Sequence, residues 1–289
     1  MKLSYILHNL QKSYLTDLGL FFAAFAAVSW GTFFVPVRKI GIKNIWQLQG
    51  ATSIGVLLFA IPIGYFWGFE IQLGGLVSGV IWTIANLLAL YSVRLIGLAR
   101  TSPLLAGFSI LSSFLWGTIF FNESFDSLIL ALTAIGLLLI GLQLVTNGEK
   151  NPHIHKKGYF IATVSGLIGG TYIIPMQVTQ TLQSGFFSSS LSIFLIGIPM
   201  FLLARRFIKK ETIAGIISGS LFNLGSFSVL IAVGLIGITI AFPIAQTATL
   251  FAVSWGMFYF KEVLKRQGIV RVSLGALVIL CGAILLAIA

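Results

Sequence analysis

Acidic side chains are scarce in this chain. Seven Asp and Glu stand against 18 Lys and Arg in 289 residues, and none of the seven falls well inside an apolar run. A carboxylate at mid-membrane depth costs about 2.5–3.5 kcal/mol on insertion scales and marks a proton or cation route. The lack of one disfavours an antiporter that moves cationic compounds through a buried acid. Cysteine is nearly missing too. Cys281 is the only one, so no disulfide framework exists and redox compartment cannot be inferred. His153 and His155 are close in sequence but have no Cys or paired carboxylate beside them, so they read as part of a solvated linker and not as a metal site. No metal or cofactor is expected. No nucleotide-binding motif occurs, which speaks against direct use of ATP, and no clustered Asp or His suggests the surface chemistry of a lipid-modifying enzyme.

Charged residues make up only 9% of the chain and hydrophobic ones 57%, against about 25% and roughly 45–50% in soluble domains. Apolar runs of the length that crosses a hydrocarbon layer of about 30 Å recur ten times. They cover residues 18–36, 46–67, 72–93, 101–121, 128–146, 158–176, 186–204, 213–233, 240–259 and 268–288. Runs this long and unalternating can satisfy their backbone groups in lipid only as helices. The expected fold is an all-α integral membrane protein with ten transmembrane helices. Residues 1–17 read as a polar lead and not as a cleaved signal peptide.

The chain is written twice. Ser78-Gly79-Val80-Ile81-Trp82 returns as Ser218-Gly219-Ser220-Leu221-Phe222, 140 residues on; Pro103 returns as Pro243. Trp116-Gly117 and Glu123 return as Trp255-Gly256 and Glu262, but 139 residues on, so one residue slips between the copies. The openings match as well, Gly31-Thr32-Phe33-Phe34-Val35-Pro36 with Gly170-Thr171-Tyr172-Ile173-Ile174-Pro175. This divides the chain into a five-helix repeat over 18–146, a polar linker over 147–157 and a second five-helix repeat over 158–289. Five is odd, so the second copy enters the membrane from the opposite face. The expectation is two inverted-topology five-helix repeats, an arrangement suited to alternating access.

Charge placement fixes an orientation. When the breaks between spans are taken alternately, every Lys and Arg from Arg38 to Arg271 falls on one side, leaving only Lys2 and Lys12 opposite. The positive-inside bias makes the richer side cytoplasmic, which puts the protein in the cell membrane with both termini on the non-cytoplasmic side. Sorted this way, the excess of positive charge points to the lipid bilayer and not to nucleic acid. The fifth span is wholly apolar with Gly136 and Gly141, a pattern that packs or dimerises, and this leaves a homodimer open.

What the spans do carry is neutral and polar. Gly79, Thr83 and Asn86 lie on one helical face, and Gly219, Asn223 and Ser226 repeat that spacing. Trp82 and Phe222 are their neighbours, and Gln246 lies one turn past Pro243. Amides and hydroxyls that donate and accept, set beside aromatic faces, match a small uncharged polyol stripped of its water. Each of these polar residues also has a plainer use as a bond between helices, and Gly79 and Gly219 as points of close packing. Pro36, Pro103, Pro175 and Pro243 end or kink helices, and broken helices are where transporters bind and gate. Glu123 and Glu262 read as caps or ion-pair partners, with proton coupling as the other role. Trp30, Trp116 and Trp255 read as packing or interface residues.

At these residues the chain resembles the drug/metabolite transporter superfamily, which includes the EamA-like transporters, and within it the glucose/ribose porter group. The likeness rests on Ser29-Trp30-Gly31-Thr32-Phe33-Phe34-Val35-Pro36-Val37-Arg38, on Ser78-Gly79-Val80-Ile81-Trp82 with its echo Ser218 to Gly225, and on Ala241-Phe242-Pro243-Ile244-Ala245-Gln246. It spans essentially the whole chain. The resemblance implies a sugar uptake permease, with Thr83, Asn86, Trp82, Asn223, Ser226, Phe222 and Gln246 around the solute. Porters of this group carry Gly-Asn where this chain has Ala85-Asn86, and a Gln in the fourth helix where it has Ala106 or Gly107. Other branches of the superfamily export amino acids and metabolites, and a non-transporting scaffold or receptor is the reading from another class.

Overall fold

The computed structural model describes residues 2–120, 127–146, 156–204, 207–263 and 265–287, with side chains from Leu15 onward except at 128, 238, 239, 242, 243 and 287. Among them there is no strand. The order is α1 (Lys2–Thr32), α2 (Val35–Ile40), α3 (Ile45–Trp67), α4 (Leu73–Ile96), α5 (Leu98–Ile119), α6 (Leu128–Thr146), α7 (Lys156–Thr171), α8 (Ile174–Val178), α9 (Gly185–Leu202), α10 (Lys209–Ile236), α11 (Ile238–Gln246), α12 (Ala248–Ser254), a π-helical turn (Trp255–Tyr259) and α13 (Arg266–Ala287). Nine segments among the described residues are long and apolar enough to cross a membrane, a multi-pass membrane architecture.

The run expected as the ninth of ten spans, 240–259, is the one missing from these nine. It is divided into α11, α12 and the π-helical turn. Pro243 has no N–H to give, and past it the ladder tightens to three-residue bonds, Thr247 N to Ile244 O at 3.1 Å and Leu250 N to Thr247 O at 2.9 Å. α1 runs from Lys2 without a break into the first span. Pro36 and Pro175 act alike. Each removes a donor that would bond to Thr32 O or Thr171 O, and each follows a two-residue break, Phe33–Phe34 before α2 and Tyr172–Ile173 before α8. Pro103 sits inside α5 without breaking it. Pro243 lies within α11, and its side chain is outside the described residues, as are Glu123 and linker residues 147–155 with both linker histidines.

Gly97 and Gly237 hold the one-residue joints between α4 and α5 and between α10 and α11. Their φ of 83° and 79° lie in the left-handed region that side chains with a Cβ resist. At the start of α3 the Asn44 side chain accepts from Gln47 N at 3.2 Å, and Glu211 from α10 accepts from Lys43 N at 2.7 Å and Asn44 N at 3.2 Å. These contacts satisfy backbone donors at the cap and first turn of α3, which the helix leaves unpaired, and one just before it.

Small residues let the helices touch. A Cβ on Gly219 would run into the carbonyl of Thr52, and one on Gly79 into the carbonyl of Ser189, so both glycines serve close packing of α10 on α3 and of α4 on α9. Each of Gly141 and Gly275 likewise faces the other's carbonyl where α6 crosses α13. In outline, α3 lies between α9 and α10, α4 against α7 and α9, α1 along α10, α11 and α12, and α5 along α7. α6 and α13 pack chiefly on each other.

Candidate functional site

The middle of the bundle holds two cavities of about 550 Å³ and about 510 Å³. They share a wall made of Trp30, Trp82, Tyr172, Ile173 and Phe222. Trp82 and Phe222 meet at its centre with ring centroids 4.3 Å apart and planes tilted by 33°, and Phe33 touches the other side of Phe222 at 5.6 Å. On α4, Ser78 and Gly79 line the second cavity, whereas Asn86 and Ala89, beyond Trp82, line the first. On α10 the residues beyond Phe222, including Asn223, Ser226 and Val229, line the second. The broken turns at Phe33–Phe34 and Tyr172–Ile173 both face cavity space, where non-helical backbone at membrane depth is tolerated. Ser218 Oγ closes the first of them by donating to Phe33 O at 2.5 Å.

Among the described residues no Lys, Arg, Asp or Glu lines either cavity. Many of the hydroxyls there are already committed to holding helices together. Ser109 donates to Gly166 O at 2.9 Å, Ser113 to Gly170 O at 2.9 Å and Ser165 to Ala85 O at 2.7 Å. In contrast, Ser102, Gln246 and Thr249 line the first cavity with side chains that make no hydrogen bond among the described residues. Asn86 Nδ2 donates to Gln49 Oε1 at 2.7 Å, and both residues are buried. In the second cavity Asn223 Nδ2 donates to Val56 O at 2.9 Å and to Ser190 Oγ at 3.1 Å. Both its amide protons thus tie α10 to α3 and α9. Ser226 Oγ donates to Phe222 O at 3.0 Å, and Trp30 Nε1 donates to that same carbonyl at 3.2 Å.

Six of the seven residues expected around a solute therefore line a cavity. Trp82 and Phe222 form the shared wall, Asn86 and Gln246 face the first cavity, and Asn223 and Ser226 face the second. Thr83 lines neither. It is fully buried and its hydroxyl donates to Gly79 O of its own helix at 2.8 Å. Residues that the sequence pattern did not bring forward are Ser102 and Thr249, which occupy no repeated motif, whereas Gln47 and Gln49 at the start of α3 suit an interface belt or a cavity mouth by sequence.

Glu262 stands apart from both cavities. Its Oε1 accepts from Arg38 Nε at 2.6 Å and its Oε2 from Ala99 N at 2.8 Å. The carboxylate is only 4% exposed and the Arg38 side chain 29%. Arg38 also lies 5.9 Å from the centre of the Phe260 ring. Among the described residues no group of three or more His, Cys, Asp and Glu could hold a metal ion.

Buried polar atoms without partners are few among the described residues, and Gln49 Nε2, Thr52 Oγ1 and Ser78 Oγ are three of them. Leaving a buried donor unmet costs about 1–3 kcal/mol, so each calls for a reason.

Comparison with known proteins shows the family of the chain. Residues 21–289 match the model of a family described as Sugar transport protein. The chain is 28% identical over 272 residues to a putative ribose uptake protein of Latilactobacillus sakei, covering 88% of this chain and 92% of that one. It is 25% identical over 285 residues to the glucose uptake protein of Bacillus subtilis, covering 94% and 99%. A solved crystal structure shares the fold with a TM-score of 0.58 at 13% identity, over 94% of this chain and 96% of that one. With nearly its whole length matched by that model, the chain belongs to the sugar transport protein family, a group within the drug/metabolite transporter superfamily.

Proposed function

We propose that this chain carries a small neutral sugar across the cell membrane by alternating access, as a secondary transporter with no chemistry of its own. The observation that carries the reading is the pair of uncharged, partly polar cavities divided by Trp82 and Phe222, positions 140 apart that the two repeats contribute equally. A sugar ring offers C–H faces to the aromatic wall and hydroxyls to the amides of Asn86, Gln246, Asn223 and to Ser226. Among the described residues no cation lines either cavity to meet the carboxylate of an amino acid, which favours sugar over the amino acid export known in other branches. The relatives named for ribose and glucose uptake support the same solute class and an inward direction.

Inverted halves are part of the proposal, and reciprocal contacts support them. Trp116 Nε1 of the first half donates to Thr171 Oγ1 of the second at 3.0 Å, and Trp255 Nε1 of the second donates to Thr32 Oγ1 of the first at 3.3 Å. Contact partners that exchange in this way are what a two-fold axis produces. The neighbours α4–α9 and α3–α10, or α5–α7 and α1–α12, exchange likewise. The equivalent helices α4 and α10 also pass the aromatic wall in opposite senses, as inversion requires. The Lys- and Arg-rich ends lie in the cytoplasm on this reading, with both termini opposite.

Uptake of labelled D-ribose and D-glucose into vesicles containing the purified chain tests the proposal. Protein-dependent, saturable uptake that Gln246→Ala and Asn223→Ala both weaken supports it. Sugar uptake no greater than in empty vesicles removes it.

A further inference from the structure

Gln47 and Gln49 are both fully buried near the start of α3, yet they differ in how their amides are met. Gln47 Nε2 donates to Ile208 O at 2.9 Å and to Thr212 Oγ1 at 2.8 Å, and its Oε1 accepts from Ile208 N at 3.1 Å. It pins α3 to the start of α10. Gln49 has one bond, the one its Oε1 accepts from Asn86, and its Nε2 has none. Thr52 Oγ1, one turn further along α3, is unmet as well. A residue kept for packing would be met on all sides, as Gln47 is, because an orphaned buried donor destabilises the fold.

The Asn86 amide joins this orphan to the first cavity. With Nδ2 turned to Gln49, Asn86 offers the cavity its carbonyl oxygen, an acceptor. We propose that Gln49 and Asn86 together read a single hydroxyl of the solute, which donates to Asn86 Oδ1 and accepts from Gln49 Nε2. The inference rests on the reading of the cavities as a sugar path and makes Gln49 a specificity-determining residue. In this structure Nε2 has no exposed surface, so contact requires the amide pair to shift toward the cavity, and satisfying the orphaned donor favours that shift. A hydroxyl, which donates and accepts at once, answers both amides. A fluorine or hydrogen in its place answers at most one, and a site built around such a bond rejects the analogue lacking it.

The test is competition for uptake of labelled D-ribose and D-glucose into vesicles by each monodeoxy and monodeoxyfluoro analogue, using wild type, Gln49→Met, Gln49→Asn and Gln47→Met. In wild type, replacement of one hydroxyl is expected to weaken competition about tenfold or more, equivalent to one well-made bond. Gln49→Met, which keeps the length of the side chain, should erase that one difference, preserve the ranking of the other analogues and melt within a few degrees of wild type in detergent. Gln49→Asn, with the amide drawn back, should reduce the same difference, and it decides the matter if the methionine variant does not fold. Gln47→Met should lower the melting temperature and affect all analogues alike. If the Gln49 variants scale every analogue by one factor or leave the ranking untouched, Gln49 has only a packing role and the inference is overturned. If wild type itself takes up neither sugar, the proposed function fails first, and that outcome is visible without any variant.

Discussion

Arg38 and Glu262, 224 positions apart in the chain, meet at 2.6 Å. The bond joins the first half to the second on the Lys- and Arg-rich side. The repeat supplies no second copy of it, because the position equivalent to Arg38 is Gln177, a neutral and exposed residue. One end of the bundle is thus fastened by charge where the other has an amide. Arg38→Gln makes the ends alike and leaves a carboxylate that is 4% exposed without its cation. Hydrogen bonds to charged groups contribute about 1.5–3 kcal/mol, so a lower melting temperature is expected, with recovery in the exchanged pair Arg38→Glu with Glu262→Arg. The same variant should expose the first cavity. A cysteine placed at Ser102, in a Cys281→Ser background, should react faster with an impermeant maleimide added from the charge-rich side. Equal labelling rates would show that the pair does not hold that side closed.

Trp82 and Phe222 form the division between the cavities, and each can be tested for what its ring contributes. Trp82→Ala should join the two spaces and remove one stacking face, worth about 0.5–1.5 kcal/mol for an aromatic contact. A rise in KM for sugar uptake of a few-fold to roughly tenfold is expected, with Trp82→Phe close to wild type. An unchanged KM in the alanine variant would place the solute elsewhere.

Asn223 and Gln246 should separate stability from transport. Asn223 uses both amide protons to hold α3 and α9, so Asn223→Ala should lose about 1–3 kcal/mol of stability by orphaning buried partners. Gln246 makes no such bond among the described residues. Gln246→Ala should keep the wild-type melting temperature and transport poorly. Thermal melting in detergent, set beside uptake rates, distinguishes the two, and equal melting of both variants would contradict the bonding seen here.

Gly219 faces the Thr52 carbonyl where α10 crosses α3. Gly219→Val inserts a branched side chain against backbone that cannot yield without moving a helix. Overpacking of this kind costs about 1–3 kcal/mol or more, and the expected outcome is loss of a monodisperse, folded protein on size exclusion. A variant that folds and melts like wild type would mean that the two helices are free to separate.

Much of this molecule is legible in the order of its residues because lipid leaves the backbone few options. Long apolar runs had to be helices, and a two-residue break stands just before each of α2 and α8, whose second residues are Pro36 and Pro175. Pro103 and Pro243 occupy the same repeat position, yet only the second belongs to an interrupted helix, and it is after the second that the spacing of the copies shortens by one residue. Thr83 and Asn86 share a helical face by periodicity, but the Thr83 hydroxyl turned back to its own backbone while Asn86 reached the cavity. Rotamer choice separates them. Gln49 and Gln47 look interchangeable in sequence, and only the position of α10 shows that one is fully met and the other is not.

The register of the copies shifts by one residue twice, once between Pro175 and Ser218 and back again between Pro243 and Trp255, the stretch that contains the break at Thr247. Dropping a residue from an unbroken helix would turn everything after it by about 100°, yet Trp255 still finds Thr32 as Trp116 finds Thr171. The interruption absorbs the missing residue. A carrier assembled from two identical halves would be equally content facing either compartment, and its unloaded form would divide its time evenly between them. Here the halves differ at the helix that carries Gln246, so under the proposed alternating access the empty protein should favour one compartment by its covalent sequence alone, with no gradient needed to establish the preference.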